Sequence, residues 1–373
     1  MRTNTIEFGA SNVQAFIGVG GPYIQDSNRD GYVTDHDVIE GGVLYKADPI
    51  NTSAIGIVVN DLEFGMSILT TQAPDLTNPK SILVPEGTKF TAMRATGKQI
   101  AMVGLPKELE FSFEDVLFEL NQSDQDGMIV DFTDGGKSQG MAINTGNPNR
   151  PMVLDFKEDM LTASIGYARI NVAGVLALEG GITLQRRTMN DAEIYIAGIA
   201  MPMGIVGVDA LVLGGRNISA FAGIKGPYVT DKDKPNDPGY HDTADEYAAG
   251  DVNKDAIGFA IVNLDFGMVL ANPSFMGQSL DQLYFVGITA SADFAGLVGT
   301  EPYVTLNAKD IRFGLNMAIA NGFPLPLTFV DFSTVNDGGA PGMDIPIGAN
   351  NSINMAELNN FEVRIGMQAN LGL

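Results

Sequence analysis

Apolar and polar residues alternate along many stretches of this chain with the two-residue period of a half-buried β-strand. Leu62, Phe64 and Met66 alternate with acidic or small residues, and the same alternation recurs in residues 109–113 and 168–184. Glycine interrupts most apolar runs, and Val and Ile are frequent, so the signals of amphipathic helices are poor. The pattern predicts an all-β chain whose strands often reach about 8–10 residues, longer than the common length of about five or six.

Turn-forming and acidic segments separate the predicted strands. Residues 25–52 are acidic and residues 72–89 contain three prolines, so both segments are predicted to be irregular loops. Separate strands are predicted around residues 109–113 and 116–120, and residues 192–213 are predicted to form apolar strands.

One stretch of the chain occurs twice, which makes an internal repeat its organising feature. Residues 12–26 and residues 217–231 share Asn, Ala, Phe, two Gly, Pro, Tyr and Asp at equivalent places. We predict a first repeat in residues 1–210, beginning partway through a unit, and a second in residues 211–373, incomplete at its C-terminus. The chain is therefore expected to be a piece of a longer array.

Two all-β architectures fit a repeat of this length. One is an elongated repeat structure, either a β-solenoid or an array of stacked sheets, and the other is two tandem β-sandwiches. Residues 192–217, which join the repeats, are mostly apolar and lack the composition of a Pro-rich or polar linker. This continuity favours the elongated structure.

The acidic loop after the first copy has the spacing of a calcium loop of the EF-hand type. Such a loop places oxygen ligands at alternate positions, with a glycine at the sixth position for the sharp turn, and Gly31 occupies that position here. Calcium binds six to eight oxygen atoms, which this spacing would gather around one point. The predicted Ca²⁺ ligands are Asp26, Asn28, Asp30, the Tyr32 carbonyl, Thr34 and Asp37.

The second copy leads into a longer acidic loop that keeps the order of the ligands. An insertion separates the first two aspartates from the remainder, so the alternative here is that the insertion has abolished the site. The alternative for the first loop is a solvated acidic turn without metal. The predicted ligands of this second Ca²⁺ site are Asp231, Asp233, Asp237, Tyr240, Asp242 and Asp245.

Catalytic residue combinations are scarce. The chain has no cysteine, and its only histidines, His36 and His241, lie within the two acidic loops. A Ser-His-Asp or Cys-His site therefore cannot be assembled elsewhere. Asp131 and Asp331 recur in Val-Asp-Phe and are predicted to cap turns. We expect no enzymatic activity.

The charge balance narrows the possible partners. The chain carries 45 acidic and 22 basic residues, for a net charge of −23. Nucleic acids and anionic membrane surfaces require clustered Lys and Arg, so neither is an expected partner, whereas divalent cations are favoured. No apolar run reaches the roughly 18 residues of a membrane-spanning helix, so membrane insertion is not expected.

The repeated motifs resemble those of very large bacterial surface proteins of the type I-secreted, calcium-dependent kind. The resemblance rests on Asn-x-x-Ala-Phe-x-Gly-x-x-Gly-Pro-Tyr, the Asp-rich loop, and the Leu-x-Phe-Gly-Met motif at residues 62–66 and 264–268. It implies an extracellular or cell-surface location and a role as an adhesin, stalk or fibre that contacts neighbouring repeats. Alternatives are a carbohydrate-binding or polysaccharide-degrading protein, which would bind a surface glycan, and a self-assembling filament or surface-layer subunit.

Overall fold

The structure is a computed structural model that describes residues 2–73, 84–106, 109–125, 128–189, 192–201, 206–229, 252–275, 278–279, 282–337, 340–347 and 351–372. The prediction of an all-β chain is confirmed, since the one helical segment in this part is a single 3₁₀ turn at Phe332–Thr334. The strands are β1 (Thr3–Val19), β2 (Val38–Glu40), β3 (Val43–Tyr45), β4 (Ile55–Thr71), β5 (Lys89–Val103), β6 (Leu109–Ser123), β7 (Met141–Ile143), β8 (Met152–Leu154), β9 (Met160–Val172), β10 (Leu176–Met189), β11 (Glu193–Ile196), β12 (Ile199–Ala200), β13 (Val206–Ile224), β14 (Ile257–Phe275), β15 (Gln278–Ser279), β16 (Leu283–Val298), β17 (Thr305–Ala320), β18 (Phe323–Leu325), β19 (Phe329–Asp331), β20 (Asn336–Asp337), β21 (Ala340–Pro341), β22 (Asp344–Pro346), β23 (Ser352–Asn354) and β24 (Glu362–Gly372).

The principal strands are longer than predicted. β13 and β14 each contain 19 residues, so the expected length of about 8–10 residues was wrong for them. The two short strands predicted at 109–113 and 116–120 are one strand, β6, because Asp115 adopts a left-handed backbone conformation at φ 50° without ending it. A residue type that is common in turns, such as Asp115, can thus lie inside a strand at an irregularity of the pairing.

The chain divides into two compact units. The first unit contains Met1–Leu105 and Ser112–Ala163, and the second contains Pro106–Phe111 and Ser164–Leu373. The predicted division into repeats 1–210 and 211–373 concerns sequence similarity and stays a prediction. The boundary at residue 210 lies inside β13.

Each unit is built on long antiparallel strands. In the first unit the order is β1, β4, β5, β6. In the second unit the order is β9, β10, β13, β14, β16, β17, and both β18 and β24 pair with β17. The pairing of β10 with β13 joins strands from the two predicted sequence repeats.

The strand pairs of the two units are duplicates in register as well as in sequence. Gly9 of β1 lies opposite Gly65 of β4, as Gly214 of β13 lies opposite Gly267 of β14. Both pairs shift register around a left-handed residue at the same place, which is Asn12 in β1 (φ 51°) and Asn217 in β13 (φ 49°). This duplication is the structural form of the internal repeat.

Short β-ribbons and their connections cover one face of the long strands in each unit. In the second unit, Val208, Val212 and Val269 of the long strands pack with Met343 and Ile345 in one buried cluster. A smaller buried cluster in the first unit joins one alanine of β5 to residues of and after the β7–β8 ribbon: Ala92, Ile143, Met152, Leu154 and Phe156.

Candidate metal centre

The base of each acidic loop is held in the same way. In the first unit, the side-chain amide of Asn51 donates hydrogen bonds to the carbonyl oxygens of Gly20 (2.6 Å) and Pro22 (3.0 Å). In the second unit, Asn253 donates to the carbonyl oxygens of Lys225 (2.7 Å) and Pro227 (3.1 Å). One asparagine after each loop therefore holds together the chain segments that enter and leave it.

The first half of the loop turns its predicted ligands inward. Asp26 accepts hydrogen bonds from the backbone N–H groups of Asp30 at 3.2 Å and Gly31 at 3.0 Å, one on each carboxylate oxygen. Asn28 accepts from the Asp30 N–H at 2.8 Å, and Asp30 accepts from the Tyr32 N–H at 3.0 Å. Three side chains at alternate positions thus bend over one turn, with Gly31 at φ 84° where the turn is sharpest.

Two later members of the predicted ligand set, Thr34 and Asp37, form hydrogen bonds outside the first turn of the loop. The Asp37 carboxylate accepts hydrogen bonds from the Lys46 ammonium at 2.5 Å and the Ala47 N–H at 3.0 Å. The hydroxyl of Thr34 donates to the carbonyl oxygen of His36 at 2.9 Å. The structure therefore brings Asp26, Asn28 and Asp30 together and places Asp37 in an ion pair.

Lys46 and the Ala47 N–H, both hydrogen-bonded to the Asp37 carboxylate, hold its pKa below the ordinary value. His36 contacts Asp35 through Nδ1 at 2.7 Å. Among the described residues, no group of three or more His, Cys, Asp or Glu side chains is arranged to hold a metal ion. A calcium site in this loop would therefore use amide, carbonyl or hydroxyl oxygens beside the carboxylates.

A buried carboxylate that the sequence pattern did not single out lies against the loop. Asp48 is 4% exposed, and its Oδ1 accepts hydrogen bonds from the N–H (2.8 Å) and hydroxyl (3.2 Å) of Ser27, between two predicted ligands. Its Oδ2 is buried and has no hydrogen-bond partner within the described structure. A buried carboxylate oxygen requires a proton, a water molecule or a cation, and Asp48 is therefore a buried acid beside the loop that a bound cation would satisfy.

The loop is joined to the sheet through Tyr32 and Val33. The Tyr32 side chain is buried, its ring centroid lies 4.9 Å from that of Tyr45, and burial raises the pKa of its phenol. The Val33 carbonyl accepts a hydrogen bond from Gln14 at 3.0 Å, and its N–H donates to Asn12 at 3.3 Å. The repeated asparagine of the strand therefore also positions the loop.

Arg150 supports the same region from a distant part of the sequence. Its guanidinium forms ion pairs with Glu40 (3.1 Å), Asp61 (3.3 Å) and Glu63, and it lies 5.3 Å from the centroid of the Tyr32 ring. One guanidinium thus contacts three carboxylates beside the loop and neutralises only part of their charge. The sequence pattern contains no signal for Arg150, whereas Asn12 is marked by its recurrence as Asn217.

The second predicted metal loop lies outside the described residues. This applies to Asp231, Asp233, Asp237, Tyr240, Asp242 and Asp245, and to His241.

The two aspartates of Val-Asp-Phe have a structural role. Asp131 accepts hydrogen bonds from the Thr133 N–H (2.8 Å) and the Gly135 N–H (2.8 Å), and Asp331 accepts from the Ser333 N–H (3.0 Å). Both residues cap the turn that follows them, as their repetition predicted.

Comparisons with known proteins add no relative. The chain matches no protein-family model, no curated protein and no solved structure. Within the described chain, no helix is of a length and apolarity that would span a bilayer. Fold and site define an all-β protein with duplicated long strands and an acidic, turn-bound loop.

Proposed function

We propose that this chain is a calcium-stabilised structural repeat of a large extracellular bacterial protein, such as an adhesin, stalk or fibre. The observation that carries the proposal is the inward turn of Asp26, Asn28 and Asp30 at alternate positions around Gly31. Hard oxygen donors folded over one glycine turn are the arrangement that calcium loops use.

Asp48 supplies a further carboxylate beside the loop. Its buried oxygen without a partner lies on a carboxylate that already contacts Ser27 in the loop. Asp26 and Asp30 form no ion pair with Lys, Arg or His among the described residues. A divalent cation would supply the positive charge that these carboxylates lack.

The proposed mechanism is physical. The chain, with a net charge of −23, would be exported unfolded from a compartment where calcium is scarce. Outside the cell, calcium would neutralise the loop carboxylates and order the loop, which contacts β1 through Asn12 and Gln14. A cation that binds only the folded state stabilises it by about 3–4 kcal/mol at about 100 to 1,000 times its dissociation constant.

The role proposed here is mechanical and not enzymatic. In an array, neighbouring repeats would be the principal partners, and ordered loops would stiffen each repeat in calcium-containing surroundings.

Isothermal titration of metal-free protein with calcium tests the proposal. We expect binding whose stoichiometry falls by one site in the Asp30→Asn variant, because that substitution removes a carboxylate from the turn. Asp134→Asn is the matched control, since Asp134 is an exposed acid with a left-handed backbone outside the loop. Equal calcium stoichiometry and affinity in the wild type, Asp30→Asn and Asp134→Asn would show that this loop binds no calcium.

A further inference from the structure

β1 is an edge strand in the described structure. It pairs with β4 along one side, and no described strand pairs with its other side. Several of its apolar side chains are exposed, including Ile6 (56%), Phe8 (51%) and Ile17 (77%). A long edge with free N–H and C=O groups is a ready template for another strand.

β13 is the counterpart of β1 in the second unit and shows which kind of strand pairs along this side. β13 matches β1 in its register with the next strand, and Gly18 opposite Gly56 in β1–β4 corresponds to Gly223 opposite Gly258 in β13–β14. The other side of β13 is occupied by β10 along almost its whole length, from Leu176 opposite Ala222 to Met189 opposite Val208. The corresponding side of β1 has no partner strand among the described residues.

The fit of β10 to β13 depends on a glycine at the bulge. Gly180 adopts φ 133°, and a Cβ atom there would lie 2.8 Å from Ile218 Cα and 2.9 Å from the carbonyl oxygen of Arg216. The positions in β1 that correspond to these two residues are Val13 and Ser11, on either side of the left-handed Asn12. A strand that fits β1 in the same way therefore also needs glycine at this point.

We propose that the free edge of β1 is a docking site for one strand of β10 chemistry, donated by another repeat of this type. The donated strand would be antiparallel to β1, would alternate apolar and polar residues as Leu176–Met189 do, and would place its glycine against the Asn12 bulge. It would pair with the exposed backbone of β1 by strand addition. This inference is independent of calcium, because it rests on the sheet edge and not on the acidic loop.

The test uses the full chain and a fluorescein-labelled peptide of residues 174–189. Fluorescence anisotropy should show saturable binding, and a Gly180→Val peptide should bind at least about tenfold more weakly, because its side chain would overlap the bulge backbone. Hydrogen exchange should slow in residues 3–19 when the unmodified peptide is bound. Equal binding of the two peptides, or protection only elsewhere, such as in Glu362–Gly372, would overturn the proposal.

A second experiment avoids the free peptide, because a free peptide could associate with itself. Residues 174–205 are placed before residue 2 of the chain, so that a β10 strand is linked to β1 by its natural connection. Exchange in β1 should then slow relative to the same chain carrying Gly180→Val in the added segment, and equal exchange would overturn the proposal. In each copy of the chain β10 is already paired with β13. Concentration-dependent sedimentation of the unmodified chain, with β1 protected in the absence of peptide, would therefore mean that a strand other than β10 covers this edge, and would also overturn the proposal.

Discussion

The side-chain amide of Asn316 donates a hydrogen bond to the carbonyl oxygen of Val330, at 2.8 Å. The same amide donates to the carbonyl oxygen of Leu358 at 3.0 Å, and the Asn316 side chain is fully buried. Asn121 in the first unit repeats this arrangement with Val130 and Glu158, at 3.0 and 2.9 Å. One buried amide in each unit thus ties the covering segment to the long strands at two points.

Replacing Asn316 by alanine is predicted to lower the free energy of unfolding by about 1–3 kcal/mol, because buried carbonyl groups lose their donor. Asn121→Ala should act in the same direction, since that side chain is 1% exposed. Asn370→Ala in the exposed face of β24 is the control, with an expected change within about 0.5 kcal/mol. Urea unfolding followed by circular dichroism measures all three, and an Asn316→Ala variant as stable as the control would contradict the assigned role.

Gly258 marks a close approach of two strands. A Cβ atom at this position would lie 2.7 Å from Gly223 Cα in the neighbouring strand, and the equivalent pair in the first unit is Gly18 with Gly56. We predict that Gly258→Ala destabilises the protein by about 1–3 kcal/mol, because the backbones must separate. The measurement is the midpoint of urea unfolding.

The matched control for Gly258 is Gly97 in β5, where no heavy atom outside Gly97 and its two chain neighbours lies within 4 Å of the Cβ position. Gly97→Ala should leave stability unchanged or raise it, since alanine costs less backbone entropy than glycine in a strand. Similar losses in Gly258→Ala and Gly97→Ala would mean that the close approach is not the cause.

The all-β class and the turn in the first half of the acidic loop could be predicted because both depend on local order. Alternation with a period of two identifies strands, and the spacing of Asp26, Asn28, Asp30 and Gly31 determines which N–H groups the side chains reach. Strand length was underestimated, because a left-handed residue such as Asp115 looks like a strand end in sequence but forms an irregularity within a continuous strand.

The remaining part of the candidate site is created by tertiary contacts. Arg150 lies 89 positions from Asp61 along the chain, yet the two side chains meet at 3.3 Å. Asp48 follows the loop, but only the folded backbone shows that its carboxylate contacts Ser27 and that one oxygen is buried. Asp37 was predicted as the final ligand from spacing alone, and Lys46 competes for it in the structure.

Asp265 is predicted to destabilise the folded protein at neutral pH. Burial raises the pKa of its carboxyl group, although the Asn217 N–H donates a 2.7 Å hydrogen bond to it. The unfolded chain loses this proton at lower pH than the folded chain does, so the free energy of unfolding falls as pH rises through that interval. Asp265→Asn keeps an acceptor for Asn217 and should be more stable than the wild type at pH 7, but not at about pH 3.

The pKa shift of Asp37 is opposite in direction to that of Asp265. Because its pKa is lowered by the hydrogen bonds from Lys46 and Ala47, its contribution to stability is present above the ordinary pKa of aspartate and is lost as pH falls through the lower, folded value. In metal-free buffer, Asp37→Asn should therefore be less stable than the wild type at neutral pH, with the difference disappearing in acid. Urea unfolding across a pH series measures both variants, and a pH-independent gain or loss in either would contradict the assignment.

Thermal unfolding in calcium and in excess chelator tests the central claim most directly. The account predicts that millimolar calcium raises the Tm of the wild type by several degrees, whereas magnesium at the same concentration raises it less. The rise should be smaller in a variant that carries both Asp26→Asn and Asp30→Asn, and unchanged in Asp134→Asn. The same Tm for the wild type in calcium and in chelator would contradict the claim that calcium stabilises this fold.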